Sequence, residues 1–175
     1  MDRRIVTTTR ACNARLVPTG DPITIPAASF ITLTQTLGGT FTVVVEGNMA
    51  RIAGQDADAL GLTKIELEFA TPNADGSINR ADVETALNSV YDPEIPVSIA
   101  DLGLIYGLDI SSGHVAITMT LTAPGCGMGP VLVAEVEDRV AQVPGVESVN
   151  IELVFDPPWS REMMSEAAQL ELGVF

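Results

Sequence analysis

"HVAITMTLTAPGCGMGPVLVAEVEDRV", residues 114–140, changes its period halfway along. Val115, Ile117, Met119 and Leu121 alternate as on a half-buried strand, with Thr118, Thr120 and Thr122 on the other face. From Met128 to Val143 the spacing turns helical. Leu132, Val133, Val136, Val140 and Val143 make one apolar stripe, and Glu135 and Arg139, four apart, are expected on the polar side. Pro144-Gly145 ends that helix, and Val149, Ile151, Leu153 and Phe155 alternate through a further strand. Strand, helix and strand in this order predict a right-handed parallel crossover.

The rest of this half is built around that crossover. Leu104, Tyr106, Leu108 and Ile110 alternate ahead of the turn "SSG", which predicts an antiparallel hairpin. Before it, Val83, Ala86, Leu87 and Val90 share one face of a helix. This helix stops at Tyr91-Asp92, because Pro93 disfavours the α conformation in the residue before it, and Pro96 keeps the next turn open. "DPPWS" breaks the final strand, and Ser160 is expected to cap a last helix carrying Met163, Met164, Ala167 and Ala168. Residues 78–175 therefore read as an α-β-β-α-β-α sandwich with a mixed sheet.

Upstream of the polar linker "ATPNADGS", residues 70–77, the pattern is short, alternating and β-branched: "DPITIP", "FITLTQT", "TFTVVVE", "MARIA" and "IELEF" are all read as strands. Gly38-Gly39 and Gly47-Asn48 mark turns, the latter as a type II′ hairpin. Residues 1–70 thus form a small all-β, barrel-like module, and the whole chain is of the α+β class. Cys12 is expected in a mobile N-terminal arm.

Nine basic and 23 acidic residues give a formal charge of −14, and four of the nine (Arg3, Arg4, Arg10 and Arg15) lie in the first fifteen positions. Such a chain repels phosphate backbones, so no nucleic-acid partner is expected. No apolar region follows the N-terminal arginines and no membrane-spanning run appears later, which points to an unexported, cytoplasmic protein with no membrane partner. Two cysteines do not make a disulfide scaffold.

Three motifs carry no chemistry. "TPNADGSINRAD", residues 71–82, imitates a calcium loop but starts on Thr71 and ends on Asp82 where a bidentate glutamate is needed. "GCGMG" is neither a dinucleotide fingerprint nor a P-loop. The carboxylates of "GQDADALG", residues 54–61, are accounted for by Asx-type turns. Trp159, behind two prolines, is read as a plug closing the helix–sheet edge in preference to a platform for a ligand.

Cys126 is the candidate for chemistry. It stands just ahead of a helix whose first turn is prepared by Pro130, where backbone N–H groups and the helix dipole favour thiolate. Glycines at 125, 127 and 129 leave the sulfur uncovered. The alternative is a small residue filling a tight turn. His114, the only histidine, starts the strand whose far end leads to the thiol, roughly 26 Å of strand away, so no Cys–His dyad forms. Asp92, Glu94 and Asp101 supply carboxylates from the proline-rich loop, or else form a solvated acidic turn. Thiolate and carboxylate suit a metal ion or a cluster edge, but a complete iron–sulfur site usually takes four cysteines, so any cluster has to be shared with a second copy or a client.

"YDPEIPVSIADLGLIYGLDI", "MTLTAPGCGMGPVL" and "IELVFDPPWSREMMSEAAQLELG" together resemble the small domain shared by PaaD of the phenylacetate pathway, bacterial SufT and the eukaryotic cytosolic iron–sulfur targeting factor. The resemblance spans about residues 78–173. The stretch "TLTQTLGGTFTVVVEGNMARIAGQDADALG" is similar to the extension of SufT. The resemblance implies a non-enzymatic maturation factor that assists delivery of iron–sulfur clusters to apo-proteins. Its partners are those apo-proteins and the assembly machinery, with a homodimer as a further expectation. It binds no cofactor tightly, only transient iron or a transient cluster. The matching positions are Asp92, Glu94, Asp101 and Thr122, shaping the pocket or meeting the client, and Cys126 as the functional cysteine and a metal ligand shared with a partner. Ala123 stands where some relatives carry a second threonine, which leaves Thr122 as the hydroxyl beside the thiol. A thiol enzyme or redox sensor using Cys126, and an interaction module with an incidental cysteine, are the other two readings.

Overall fold

β-Branched residues alternating across short strands build the first unit, Met1–Leu67. The computed structural model describes residues 3–37, 39–65, 67–69, 75–92, 97–122 and 127–173. Strands β1 (Arg4–Thr7), β2 (Cys12–Leu16), β3 (Pro22–Ile25), β4 (Phe30–Leu37), β5 (Thr40–Val45) and β6 (Asn48–Ala53) form one sheet in the order β1-β4-β5-β6-β2-β3, with every pairing antiparallel. A single core draws Ile25 from edge strand β3 and Ile31 from β4 near the opposite edge, together with Phe41, Val43 and Ile52, so the sheet curls over its own apolar face. The outer face carries a row across four strands, Ile5, Thr32, Val44 and Met49, in which Ile5 is 73% exposed; Phe30, on the same face, is 77% exposed.

Several local expectations are corrected in this unit. Cys12 does not sit in a mobile arm: it lies in β2, 3% exposed, with Ala14 beside it in the core. The two N-terminal strands are held by Arg10, whose guanidinium reaches Asp56 at 3.0 Å and Asp58 at 2.7 Å. Those carboxylates belong to a 3-10 helix, Gly54–Leu60, where isolated turns were expected. The hairpin between β5 and β6 turns on Glu46-Gly47, one residue earlier than Gly47-Asn48. Both have positive φ (50° and 81°), the requirement of a type I′ turn. "IELEF" forms no strand among its described residues; the Ile65 N–H donates to the Gly54 carbonyl at 2.9 Å instead. Gly38 and the linker residues 70–74 lie outside the described residues.

The second unit, Glu68–Phe175, contains α1 (Arg80–Asn88), β7 (Ile105–Ser111), β8 (His114–Met119), α2 (Gly129–Val140), β9 (Ser148–Leu153) and α3 (Glu166–Glu171). β7 and β8 are an antiparallel hairpin, and β9 joins β8 in parallel, giving a three-stranded mixed sheet in the order β7-β8-β9. The chain is thus α+β, with a large antiparallel sheet and a smaller mixed one. Val83 and Leu87 of α1, Val115, Ile117 and Met119 of β8, and Leu132, Val136 and Val140 of α2 are at most 2% exposed. Each such side chain contributes about 1.5–3 kcal/mol by leaving water.

Two expectations fail here for reasons of packing. Glu135 and Arg139 are buried (6% and 4% exposed), because α2 packs on α1 as well as on the sheet; an Arg139 amino group reaches Ser89 Oγ at 2.9 Å. The last helix is capped by Ser165, which accepts from the Ala168 N–H at 3.1 Å, while Ser160 precedes only the 3-10 turn Arg161–Met163. Among the described residues no helix is long and apolar enough to cross a membrane. Charge is divided unevenly. The first unit holds six basic and six acidic residues, and the second three basic and seventeen acidic.

Candidate functional site

Two loops leave the same end of the three-stranded sheet, one before β7 and one after β8. The first begins where α1 ends. Tyr91 bridges to Ser98, the Asp92 N–H donates to the Val97 carbonyl at 3.2 Å, and the Ile99 N–H donates back to Val90 at 2.8 Å. These bonds hold the loop's two stems together and place Asp92, only 5% exposed, between them. Burying a carboxylate this deeply is tolerated only where polar groups meet it. The chain then turns tightly over 98–104. Ser98 Oγ accepts from the Asp101 N–H at 3.2 Å and donates to its carboxylate Oδ2 at 3.3 Å, which fixes the half-buried Asp101 side chain.

The second loop is tied to the first at its root, where the fully buried Thr120 donates its N–H to the Leu104 carbonyl at 2.8 Å. Thr122, half-buried, follows two residues later. A Cβ on Gly129 would lie 2.8 Å from the Leu121 δ1 methyl, so a larger residue there requires that side chain to shift. Around the Cβ position of Gly127 there is open space. α2 begins with Pro130 in its first turn, with no acidic residue there and no capping bond from the Met128 side chain, so neither offsets its positive end.

The structure therefore brings Asp92 and Asp101 onto one loop and puts Thr122 at the same end of the sheet. Glu94 and Cys126, with Pro93, Pro96 and Ala123, lie outside the described residues. His114 is at the opposite end of β8, its Nδ1 2.6 Å from Ser148 Oγ. The other thiol, Cys12, is free and buried; burial first, and the nearby Asp56 next, push its pKa up, which keeps it protonated. Among the described residues no three His, Cys, Asp or Glu side chains are grouped to hold a metal ion.

A strap missed in the sequence secures the acidic loop. Trp159 is half-buried, as a plug at the edge should be, and its Nε1–H donates to the Leu102 carbonyl at 2.6 Å. Tyr106 donates its hydroxyl to the Pro157 carbonyl at 2.8 Å, and the Ser165 N–H donates to the Asp101 carbonyl at 2.7 Å. Gly103, at φ 77°, lies so close under Met163 that a Cβ overlaps the Met163 carbonyl. Residues 157–165 thus grip Asp101-Leu102-Gly103 by the backbone. The polar handles of Trp159 and Tyr106 were the available signal.

Residues 80–153 match the family model described as iron–sulfur cluster assembly protein. An Fe–S protein maturation auxiliary factor of Porphyromonas gingivalis is 50% identical over 93 residues, which take up 53% of this chain and 89% of the relative. The Fe–S protein maturation auxiliary factor SufT of Staphylococcus aureus is 38% identical over 86 residues, 49% of this chain and 98% of its own. The crystal structure of a DUF59 domain from Bacillus anthracis superposes with a TM-score of 0.52 at 36% identity, covering 54% of this chain and 92% of that one. Two relatives well above 30% identity, matched over nearly their whole length, establish that the chain belongs to the iron–sulfur cluster assembly protein family.

Proposed function

We propose that this protein is an accessory factor of iron–sulfur cluster assembly, helping to deliver clusters to apo-proteins without catalysing a reaction. The cluster is cargo. Cys126 supplies one thiolate ligand at the start of α2, and a partner or a second copy completes the site. Asp92, Glu94, Asp101 and Thr122 shape the pocket or meet the client. The supporting observation is the bond from the Thr120 N–H to the Leu104 carbonyl, which roots the acidic loop and the thiol-bearing loop together at one end of the sheet. Iron accepts thiolate and carboxylate ligands alike, so this pairing of loops fits transient ligation.

In this reading residues 78–175 are the assembly domain in α-β-β-α-β-α order, and residues 1–70 are a barrel-like module of the SufT type, added to what the shorter relatives share. The work is cytoplasmic, where thiols stay reduced. The test is complementation of a deletion strain, scored by the activity of a cluster-dependent enzyme. Cys126→Ala is expected to fail and Cys12→Ala to succeed. Full restoration by Cys126→Ala overturns the thiol role. Anaerobic purification of the complex with a client, followed by iron and sulfide analysis, reads the shared cluster directly.

A further inference from the structure

We propose that the open edge of β7, with the groove between it and α1, docks an extended segment of a partner protein in which apolar and basic residues alternate, adding it to the sheet as a fourth strand. The proposal uses none of the residues assigned to the cluster site. Among the described residues β7 is an edge of the three-stranded sheet. In an antiparallel ladder every second residue turns its N–H and C=O away from the partner strand. At Leu108 that carbonyl points into the groove, where its contact is an Arg80 amino group at 3.4 Å. That is long for a hydrogen bond, and the Arg80 side chain is 60% exposed, so an incoming N–H displaces it readily.

The groove has the lining such a strand needs. A cavity of about 370 Å³ is bounded by Leu87, Ala100, Ile105 and Leu108. Past Arg80 it opens into a cleft of about 700 Å³ bordered by Asp75, Asp109 and Glu147. Leu108 and Ile110 pair with the buried Ile117 and Val115 and so share the core face, yet both remain half-exposed at the edge. An added strand covers them with its own apolar positions. Asp109, exposed between them on the other face, meets the intervening basic positions. Four carboxylates (Asp75, Glu84, Asp109 and Glu147) and one guanidinium, that of Arg80, line the two cavities. A second copy of this acidic edge is repelled, and a basic strand is drawn in. At about 3.3 Å per residue β7 accommodates a strand of roughly seven residues.

The test uses the full chain and a fluorescent, end-blocked peptide of alternating valine and lysine, followed by anisotropy, with fold integrity of every variant checked by circular dichroism. Binding is expected, with loss of roughly tenfold or more on N-methylating alternate peptide amides, on replacing lysine by glutamate, and in the Asp109→Asn/Glu147→Gln variant. Arg80→Ala is expected to tighten binding severalfold, because it removes the competing donor on Leu108. Cys126→Ala is expected to bind unchanged, which separates this result from the cluster reading. No binding by the parent peptide, equal binding by its N-methylated form, or weaker binding to Arg80→Ala overturns the proposal.

Discussion

Gly103 is the residue on which the acidic loop turns. Its φ of 77° and its contact with the Met163 carbonyl are both closed to a side chain. Gly103→Ala is expected to destabilise the second unit by roughly 2–4 kcal/mol in urea unfolding, the sum of left-handed strain and overlap. Gly127→Ala, where a Cβ meets open space, serves as the mild control. In the first unit, Asp58 is the residue with a pH signature. Hydrogen bonding to Arg10 lowers its pKa from 3.8 to about 2. A depressed carboxylate gives its full contribution above the unfolded value and loses it as pH falls from 3.8 toward 2. Asp58→Asn is therefore expected to flatten the acid limb of the stability curve in that window. Residues of this kind were half legible: Asp101 was singled out for its carboxylate, but the demand on Gly103 two residues later comes from Met163, sixty residues away in the chain.

Among the elements, the strap of residues 157–165 decides how firmly Asp101 is presented. Trp159→Phe keeps the ring and removes the N–H to Leu102, an interaction of about 1 kcal/mol. Amide exchange at Leu102, Gly103 and Leu104 is expected to quicken about fivefold, with little change at β8. β8, α2 and β9 could be read in advance because a single chain segment passes from a period of two to one of 3.6 and back, and each period buries one face. β1 and β2 could not. Their threonines and arginines hide the inward alternation of Cys12 and Ala14, and the clamp that holds them comes from Asp56 and Asp58, more than forty residues on. Glu135 and Arg139 misled for a related reason: charges four apart usually mark a solvated helix face, and only the packing of α1 against α2 puts them inside. Of the candidate site residues only Asp92, Asp101 and Thr122 fall among the described residues, and the end of the sheet from which their loops leave was legible in the hairpin alternation. The strap was not, because it grips backbone carbonyls, which carry no residue identity.

At the scale of the whole molecule, the two units differ most in charge, with all of the net −14 in the second. Like charges at this density oppose compaction, and salt screens them. Raising ionic strength from about 0.01 to 0.5 M is expected to lift the thermal midpoint of the second unit by several degrees. Its fluorescence gives a clean readout, since Trp159 is the only tryptophan in the chain. The neutral first unit should hardly respond. That unit also exposes Ile5, Phe30 and Met49 on the outer face of its sheet, and a protein without net charge and with an apolar face is poorly dispersed in water. The net charge that opposes its association is carried by the unit to which it is covalently joined. Acidification toward the pI of about 4.2 cancels that repulsion while leaving the apolar face unchanged, so turbidity, measured by light scattering, should appear there before either unit unfolds.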